Sequence, residues 1–182
     1  SEQLLIRYTL IDTYAPTVLR LKPFLAYRSI HSLTRANVDA DTHFTSVGNG
    51  AAYRMYKDFP TLHLQLSKEC EYVHCPDWYR NTVYKEEYRR GFDCTEDLFV
   101  PGFFEMPMKK GESIVLSAST SEVSPAGLKA QFTRESHSIE PRTDYDSCLK
   151  AAASQLFAYA DKSTCICTGF SWHEIGGLRE TL

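Results

Sequence analysis

The stretch TLHLQL, residues 61–66, alternates polar and apolar side chains along its whole length. Because successive side chains of an extended strand point to opposite faces, its three leucines fall on one side and His63 and Gln65 on the other. One buried face and one polar face are typical of an antiparallel sheet. The stretch therefore predicts an antiparallel strand.

The same period of two extends from residue 1 to about residue 120. It is visible in AAYRMYKD, residues 51–58, and in ESIVLSAS, residues 112–119. Many short strands without intervening helices favour two packed antiparallel sheets. We therefore predict a mainly β fold, an antiparallel β-sandwich.

Two turns are predicted between these strands. The Asn49-Gly50 pair is typical of a two-residue β-hairpin loop. The stretch MKKGES, residues 108–113, predicts a second hairpin with Gly111 in the left-handed conformation, which glycine adopts without steric cost.

The period changes to that of a helix after about residue 122. Ser124 as a cap and Pro125 at the first helical position predict a helix that runs to about residue 137. The stretch 143–160 predicts a second helix with an apolar stripe, capped by Thr143. The predicted organisation is a β-sandwich at 1–122, a linker helix at 123–142 and a C-terminal helical segment at 143–182.

The composition excludes several classes of protein. A net charge of −3 over 182 residues provides no basic surface for nucleic acid, and no run of about 18 apolar residues predicts a membrane span. Cys70, His74 and Cys75 have no second Cys/His pair at zinc-site spacing, so we predict no metal. The six cysteines match no disulfide framework, which favours a reducing, cytoplasmic location.

Three groups of residues carry a resemblance to a known family. They are LRLKPFLAYRSIHSLT at 19–34, WYRNTVYKEEYRRGFDCTEDLFVPG at 78–102, and LKAAASQLFAY at 149–159 followed by TGFSWHEIGGLRET at 168–181. In this order they resemble the non-catalytic N-terminal domain of bacterial and archaeal glycogen debranching enzymes, and then the first helix and loop of the catalytic barrel.

The resemblance implies an amylo-α-1,6-glucosidase that removes α-1,6-linked glucose at branches of glycogen and needs no cofactor. It implies a supersandwich-like β domain joined to an α/α barrel, with further strands before residue 1. The family's general acid and base lie on the barrel beyond residue 182. The chain is therefore expected to be a scaffold fragment that contains no catalytic residues and is inactive alone.

The resemblance also implies substrate-binding residues near the end of the chain. Trp172 and the Arg179-Glu180 pair correspond to a family pattern of Trp, a short spacer, and Gly-Arg-Asp-Thr. The family's Arg-Asp pair is expected to hold hydroxyl groups of the glucose. Here an extra residue separates Gly177 from Arg179, and glutamate replaces aspartate, which shifts the expected geometry.

Within residues 78–102, two side chains are candidates for binding sugar. Tyr79 could stack on the apolar face of a sugar and Arg80 could donate hydrogen bonds to its hydroxyls. The alternative is a structural role, with Arg80 paired to Glu96 or Asp97. For Trp78 we predict a place in the core.

The carboxylates of the same segment could be taken for a catalytic pair. The many neighbouring cations would lower their pKa values, whereas a general acid needs a raised pKa. We therefore predict structural ion pairs instead. The acids concerned are Asp93, Glu96 and Asp97, and the predicted partners are Lys85, Arg89 and Arg90.

Two other functions remain open from the sequence: a carbohydrate-binding module for α-glucans, and a docking domain without a ligand. The expected partners are α-glucan and the catalytic barrel. The apolar stripe at 144–160 also predicts self-association, because exposed apolar surface of this kind usually finds a partner.

Overall fold

A computed structural model of the protein describes residues 3–29, 32–138, 143–154, 156–160 and 163–166. The chain divides into two units, Ser1–Thr133 and Arg134–Leu182. The strands of the first unit in chain order are β1 (Gln3–Thr9), β2 (Thr17–Leu21), β3 (Phe44–Val47), β4 (Gly50–Tyr53), β5 (Leu62–Leu66), β6 (Glu71–Val83), β7 (Thr95–Met108) and β8 (Ser113–Ser119).

These strands form two antiparallel sheets. The larger sheet has the order β1-β8-β5-β4-β3, and the smaller sheet has the order β2-β7-β6. Leu64 and Leu66 of β5 pack in one buried cluster with Phe104 and Met106 of β7, so the sheets face each other across a shared core. The predicted β-sandwich is confirmed.

The polar face of β5 is also covered. The side chain of Gln65 is completely buried, and its amide donates to the carbonyl oxygens of Gly48 and Val123 and accepts from the Val123 N–H. A buried amide is stable only when its donors and acceptors are satisfied, as they are here. The alternation in TLHLQL therefore separates two buried faces rather than a core from solvent.

The first predicted hairpin is present, although its loop is not the predicted Asn49-Gly50 pair, and the second predicted hairpin is wrong. β3 and β4 form a hairpin whose loop is Gly48-Asn49, since Val47 pairs with Gly50. Residues 109–112 instead carry the chain from β7 in one sheet to β8 in the other, so they do not close a hairpin. Gly111 does have a left-handed φ of 77°. The sequence identified the turn but not the sheet to which the next strand belongs.

The helix predicted after residue 124 is present. A 3-10 turn at Pro125–Gly127 leads into α2 (Leu128–Ser138), and α1 (Lys85–Arg89) is a single turn between β6 and β7. The Ser124 side chain makes no capping hydrogen bond. Leu128 is buried, and the Phe132 ring lies 4.7 Å from the guanidinium carbon of Arg7 on β1. The start of α2 therefore covers the outer face of the larger sheet.

The second unit contains α3 (Tyr145–Ser154) and a hairpin of β9 (Phe157–Ala160) and β10 (Ser163–Ile166). The prediction that this helix continues to residue 160 is wrong. The sequence FAYA alternates aromatic residues with alanine, a period that suits a strand.

The cap of α3 also differs from the prediction. Asp144, rather than Thr143, accepts a 2.8 Å hydrogen bond from the Ser147 N–H, and the Ser147 hydroxyl accepts one from the Asp144 N–H. This reciprocal pair satisfies two backbone donors at the helix start, as in a capping box.

Trp172, Arg179 and Glu180 lie outside the described residues, and the substrate-binding role predicted for them stays a prediction. None of the helices in the described ranges is long and apolar enough to cross a membrane.

Candidate functional site

A buried carboxylate organises the start of β7. The Glu96 side chain is completely buried, and its two oxygens accept a bidentate ion pair from Arg28, whose Nη2 lies 3.0 Å from Oε2. The Tyr84 hydroxyl donates to Oε2 at 2.6 Å, and the Thr34 N–H donates to Oε1 at 3.1 Å. Glu96 therefore joins three separate segments of the chain.

Asp97, the next residue, holds two backbone segments in place through hydrogen bonds. Asp97 accepts hydrogen bonds from the N–H of Ala36 at 2.9 Å and of Asn81 at 2.8 Å, and Arg35 lies 3.8 Å away. Asn81 has a left-handed φ of 60° and lies where the pairing of β6 with β7 shifts register. Asp97 therefore holds a β-bulge in the edge strand.

Both carboxyl groups are held in the ionised form. Burial alone would raise the pKa of Glu96, but the hydrogen bonds from Arg28, Tyr84 and Thr34 outweigh burial, and the net pKa is lowered. Hydrogen bonds from Ala36 and Asn81 lower the pKa of Asp97. Such carboxylates cannot act as the protonated acid that glycoside cleavage requires.

The cations predicted to pair with these acids are the wrong ones. Arg89 contacts Glu86 and Arg90 contacts Glu87, in each case one turn away within or beside α1. The true partner of Glu96 lies in the segment after β2. The predicted structural role is found for Glu96 and Asp97, though with other partners, and none of the ion pairs among the described residues involves Asp93.

These pKa shifts predict acid sensitivity. A group with a lowered folded-state pKa contributes stability that is present above its unfolded pKa, about 4.3 for Glu and 3.9 for Asp, and is lost as the pH falls through the folded value. We expect the free energy of unfolding to decrease progressively below about pH 4.3, measured by urea unfolding between pH 7 and pH 3. The Glu96→Gln variant should show a shallower decrease, and a slope equal to that of the wild type would contradict the assignment.

The aromatic segment that precedes the bulge is partly exposed. Trp78, predicted to lie in the core, is half-buried, with its ring 5.4 Å from that of the buried Phe99. Tyr79 is 55% exposed and meets the ring of Phe24 edge-on at 5.0 Å. Arg80 is exposed and makes no salt bridge within the described residues, so the predicted pairing with Glu96 or Asp97 is absent there.

Phe24 lines a surface groove that the sequence did not predict. It has a volume of about 330 Å³ and lies between residues 24–28, which include the bridge from Leu25 to Phe99, and residues 59–62. Thr120 lines the groove from the end of β8.

Tyr27 fixes the shape of this groove. It has a left-handed φ of 43°, which is unusual for a large side chain. Its hydroxyl donates to the carbonyl oxygens of Tyr53, at 3.0 Å, and Pro60. Burial raises the pKa of this hydroxyl, which therefore stays protonated as a hydrogen-bond donor. A sequence pattern carries no signal for a backbone angle of this kind.

The described residues contain no group of three or more His, Cys, Asp or Glu side chains that could hold a metal ion. Among their cysteines, four are free: Cys70, Cys75, Cys94 and Cys148. Burial raises the pKa of Cys70 to about 11, so this thiol is not activated as a nucleophile.

The fold and the site define a class: an antiparallel β-sandwich domain in which buried acids order the loops and an aromatic groove stays open. The family model described as "Glycogen debranching enzyme N terminal" matches residues 1–115 of the 182-residue chain. The chain belongs to this family, and the predicted resemblance is confirmed for its N-terminal domain. No curated protein and no solved structure matches the chain.

Proposed function

We propose that the chain supplies the scaffold domain of a cytoplasmic glucosidase of the glycogen-debranching type. The enzyme would remove α-1,6-linked glucose at branch points of glycogen or related glucans. The family match over residues 1–115 supports this proposal. The observation that carries the scaffold role is the use of Glu96 and Asp97 as loop anchors rather than as open carboxylates.

The chemistry of glycoside cleavage also supports a scaffold domain that does not itself supply the catalytic acid and base. Cleavage needs two carboxyl groups on opposite sides of one glycosidic bond, about 5–5.5 Å apart for retention or 6.5–9.5 Å for inversion. Glu86 and Glu87 are tied to arginines at the protein surface, and Asp97 accepts two backbone hydrogen bonds. We infer that the acid and base come from an α/α-barrel partner domain, which the scaffold would position.

The first test is an assay of the 182-residue chain for glucose release from isomaltose and from a branched limit dextrin. We expect no release above the buffer rate, because hydrogen bonds hold Glu96 and Asp97 in the ionised form, whereas cleavage needs a protonated acid. Turnover that disappears in Glu96→Gln or Asp97→Asn would overturn the scaffold role. The proposal also expects the natural gene to encode a barrel with two further carboxylates, which sequencing of the gene checks.

A further inference from the structure

The groove beside Phe24 has aromatic walls. Phe24 is 45% exposed, while Tyr27 and Phe59 are half-buried with their ring centroids 5.9 Å apart. Tyr79 supports Phe24 from the side at 5.0 Å. Exposed faces of fixed rings favour a ligand with a flat apolar face, since the rings lose little conformational freedom on binding.

The groove carries no uncompensated charge. Its one charged lining side chain is Arg28, whose donors are directed to Glu96 and to the carbonyl oxygen of Ser29. Lys22 lies outside the lining, with Nζ 5.9 Å from the centroid of the Phe24 ring. A charged ligand would have to give up its hydration without gaining an ionic partner in the groove, so the groove favours a neutral ligand.

Two hydroxyl groups of the lining are available for hydrogen bonding. Thr61 is half-buried and Thr120 is exposed, and within the described part of the chain neither side chain makes a hydrogen bond. Each hydroxyl can both donate and accept. Aromatic walls, free hydroxyls and absent net charge together match the chemistry of a neutral sugar, which has apolar C–H faces and hydroxyl edges.

The groove is formed before any ligand binds. The hydroxyl of Tyr27 bonds Pro60 on the opposite wall, which ties the two walls together. A large residue in the left-handed region is strained, and such strain is found at ligand clamps where the surrounding structure enforces it. Arg28, the next residue, is anchored by Glu96, so the acid network holds one wall in place.

We propose that this groove is a non-catalytic binding subsite for a neutral hexose oligosaccharide, and specifically for an α-linked glucan chain. The neutral sugar follows from the lining, whereas the choice of α-linked glucose rests on the proposed function. A volume of about 330 Å³ is at the lower end of small-molecule sites, which span about 300–1,000 Å³. The subsite therefore holds a short section of the glucan and binds it weakly.

The test is a titration of the ¹⁵N-labelled 182-residue chain with maltoheptaose, followed by heteronuclear NMR. We expect shift changes concentrated at residues 24–28, 59–62 and 120, with a dissociation constant on the order of millimolar. Phe24→Ala should weaken binding about fivefold to tenfold through lost stacking. Thr61→Val, which keeps the shape of the side chain, should weaken it about threefold.

Tyr88→Ala provides the matched control, because Tyr88 is an aromatic residue on α1 that is 72% exposed and lies outside the groove lining. The affinity of the Tyr88→Ala variant for maltoheptaose should equal that of the wild type. Binding of cellohexaose but not of maltoheptaose, with the same dependence on Phe24 and Thr61, would retain the sugar subsite and reject the α-glucan assignment. Shift changes that map elsewhere, no binding of any oligosaccharide, or unchanged affinity in the folded Thr61→Val variant would overturn the subsite.

Discussion

Replacement of Arg28 by methionine is expected to lower the free energy of unfolding by about 3–5 kcal/mol, the usual cost of removing one partner from a buried ion pair. Methionine retains most of the apolar length of the side chain but removes both donors to Glu96. The Glu96 side chain is completely buried, so its charge would remain without compensation. Urea unfolding at pH 7, followed by circular dichroism, measures the loss.

Arg20→Met is the matched control for this experiment. Arg20 also pairs with a glutamate of β7, since its Nη2 lies 2.5 Å from Oε1 of Glu105, but the Arg20 side chain is 60% exposed. Exposed pairs contribute about 0–1 kcal/mol, so this variant should be nearly as stable as the wild type. Equal losses for Arg20→Met and Arg28→Met would show that burial of Glu96 is not the cause.

A double-mutant cycle separates the ion pair from the packing of the side chains. The variant with Arg28→Met and Glu96→Gln no longer contains a buried charge without a partner. We expect it to be more stable than the sum of the two single losses predicts, because the two residues act as one unit. Strict additivity would contradict the direct pairing.

The sandwich was predictable because its signal is local. The alternation in TLHLQL and in the neighbouring strands follows from the pleat of a strand, whichever sheet the strand joins. The assignment of strands to sheets was not predictable in the same way. The error at residues 109–112 arises because a turn that links two sheets has the same local chemistry as a hairpin turn, with Gly111 left-handed in either case.

The site depends on contacts between distant parts of the chain. For that reason the sequence predicted the structural role of Glu96 but neither its partner nor the groove. The abundance of cations near Glu96 did predict a structural carboxylate. However, its partner Arg28 lies 68 residues earlier, and much nearer cations pair elsewhere. The groove depends on the left-handed Tyr27 and on residues 59–62, which no spacing rule connects to residue 24.

Gly102→Ala is expected to lower the free energy of unfolding by about 3 kcal/mol or more, which places it among the most damaging single substitutions. Gly102 lies in β7 opposite His74, beside a second register shift of β6 between His74 and Asp77, and has a φ of 153°. A Cβ atom there would lie 2.2 Å from the carbonyl oxygen of Val73 and 2.9 Å from the hydroxyl of Tyr72.

The large loss of stability expected for Gly102→Ala follows from the position of the atoms that the new Cβ would meet. The Val73 oxygen belongs to the backbone of the paired strand β6. The clash with the new Cβ can therefore be removed only by moving β6 away from β7, and not by a change of side-chain rotamer. A strained φ for alanine adds a cost of about 1–3 kcal/mol. The Tyr72 hydroxyl would also be pushed from its 2.9 Å hydrogen bond to the carbonyl oxygen of Pro101.

Gly111→Ala is the control that separates the steric clash at Gly102 from the cost of a positive φ for alanine. Gly111 has a left-handed φ of 77°, but nothing lies within 4 Å of the position that a Cβ would take. Its substitution should cost only about 1 kcal/mol, the preference of the backbone for glycine. Urea unfolding of both variants measures the difference. If Gly102→Ala were as stable as Gly111→Ala, the close approach of β6 to β7 at this glycine would not be a feature of the protein in solution.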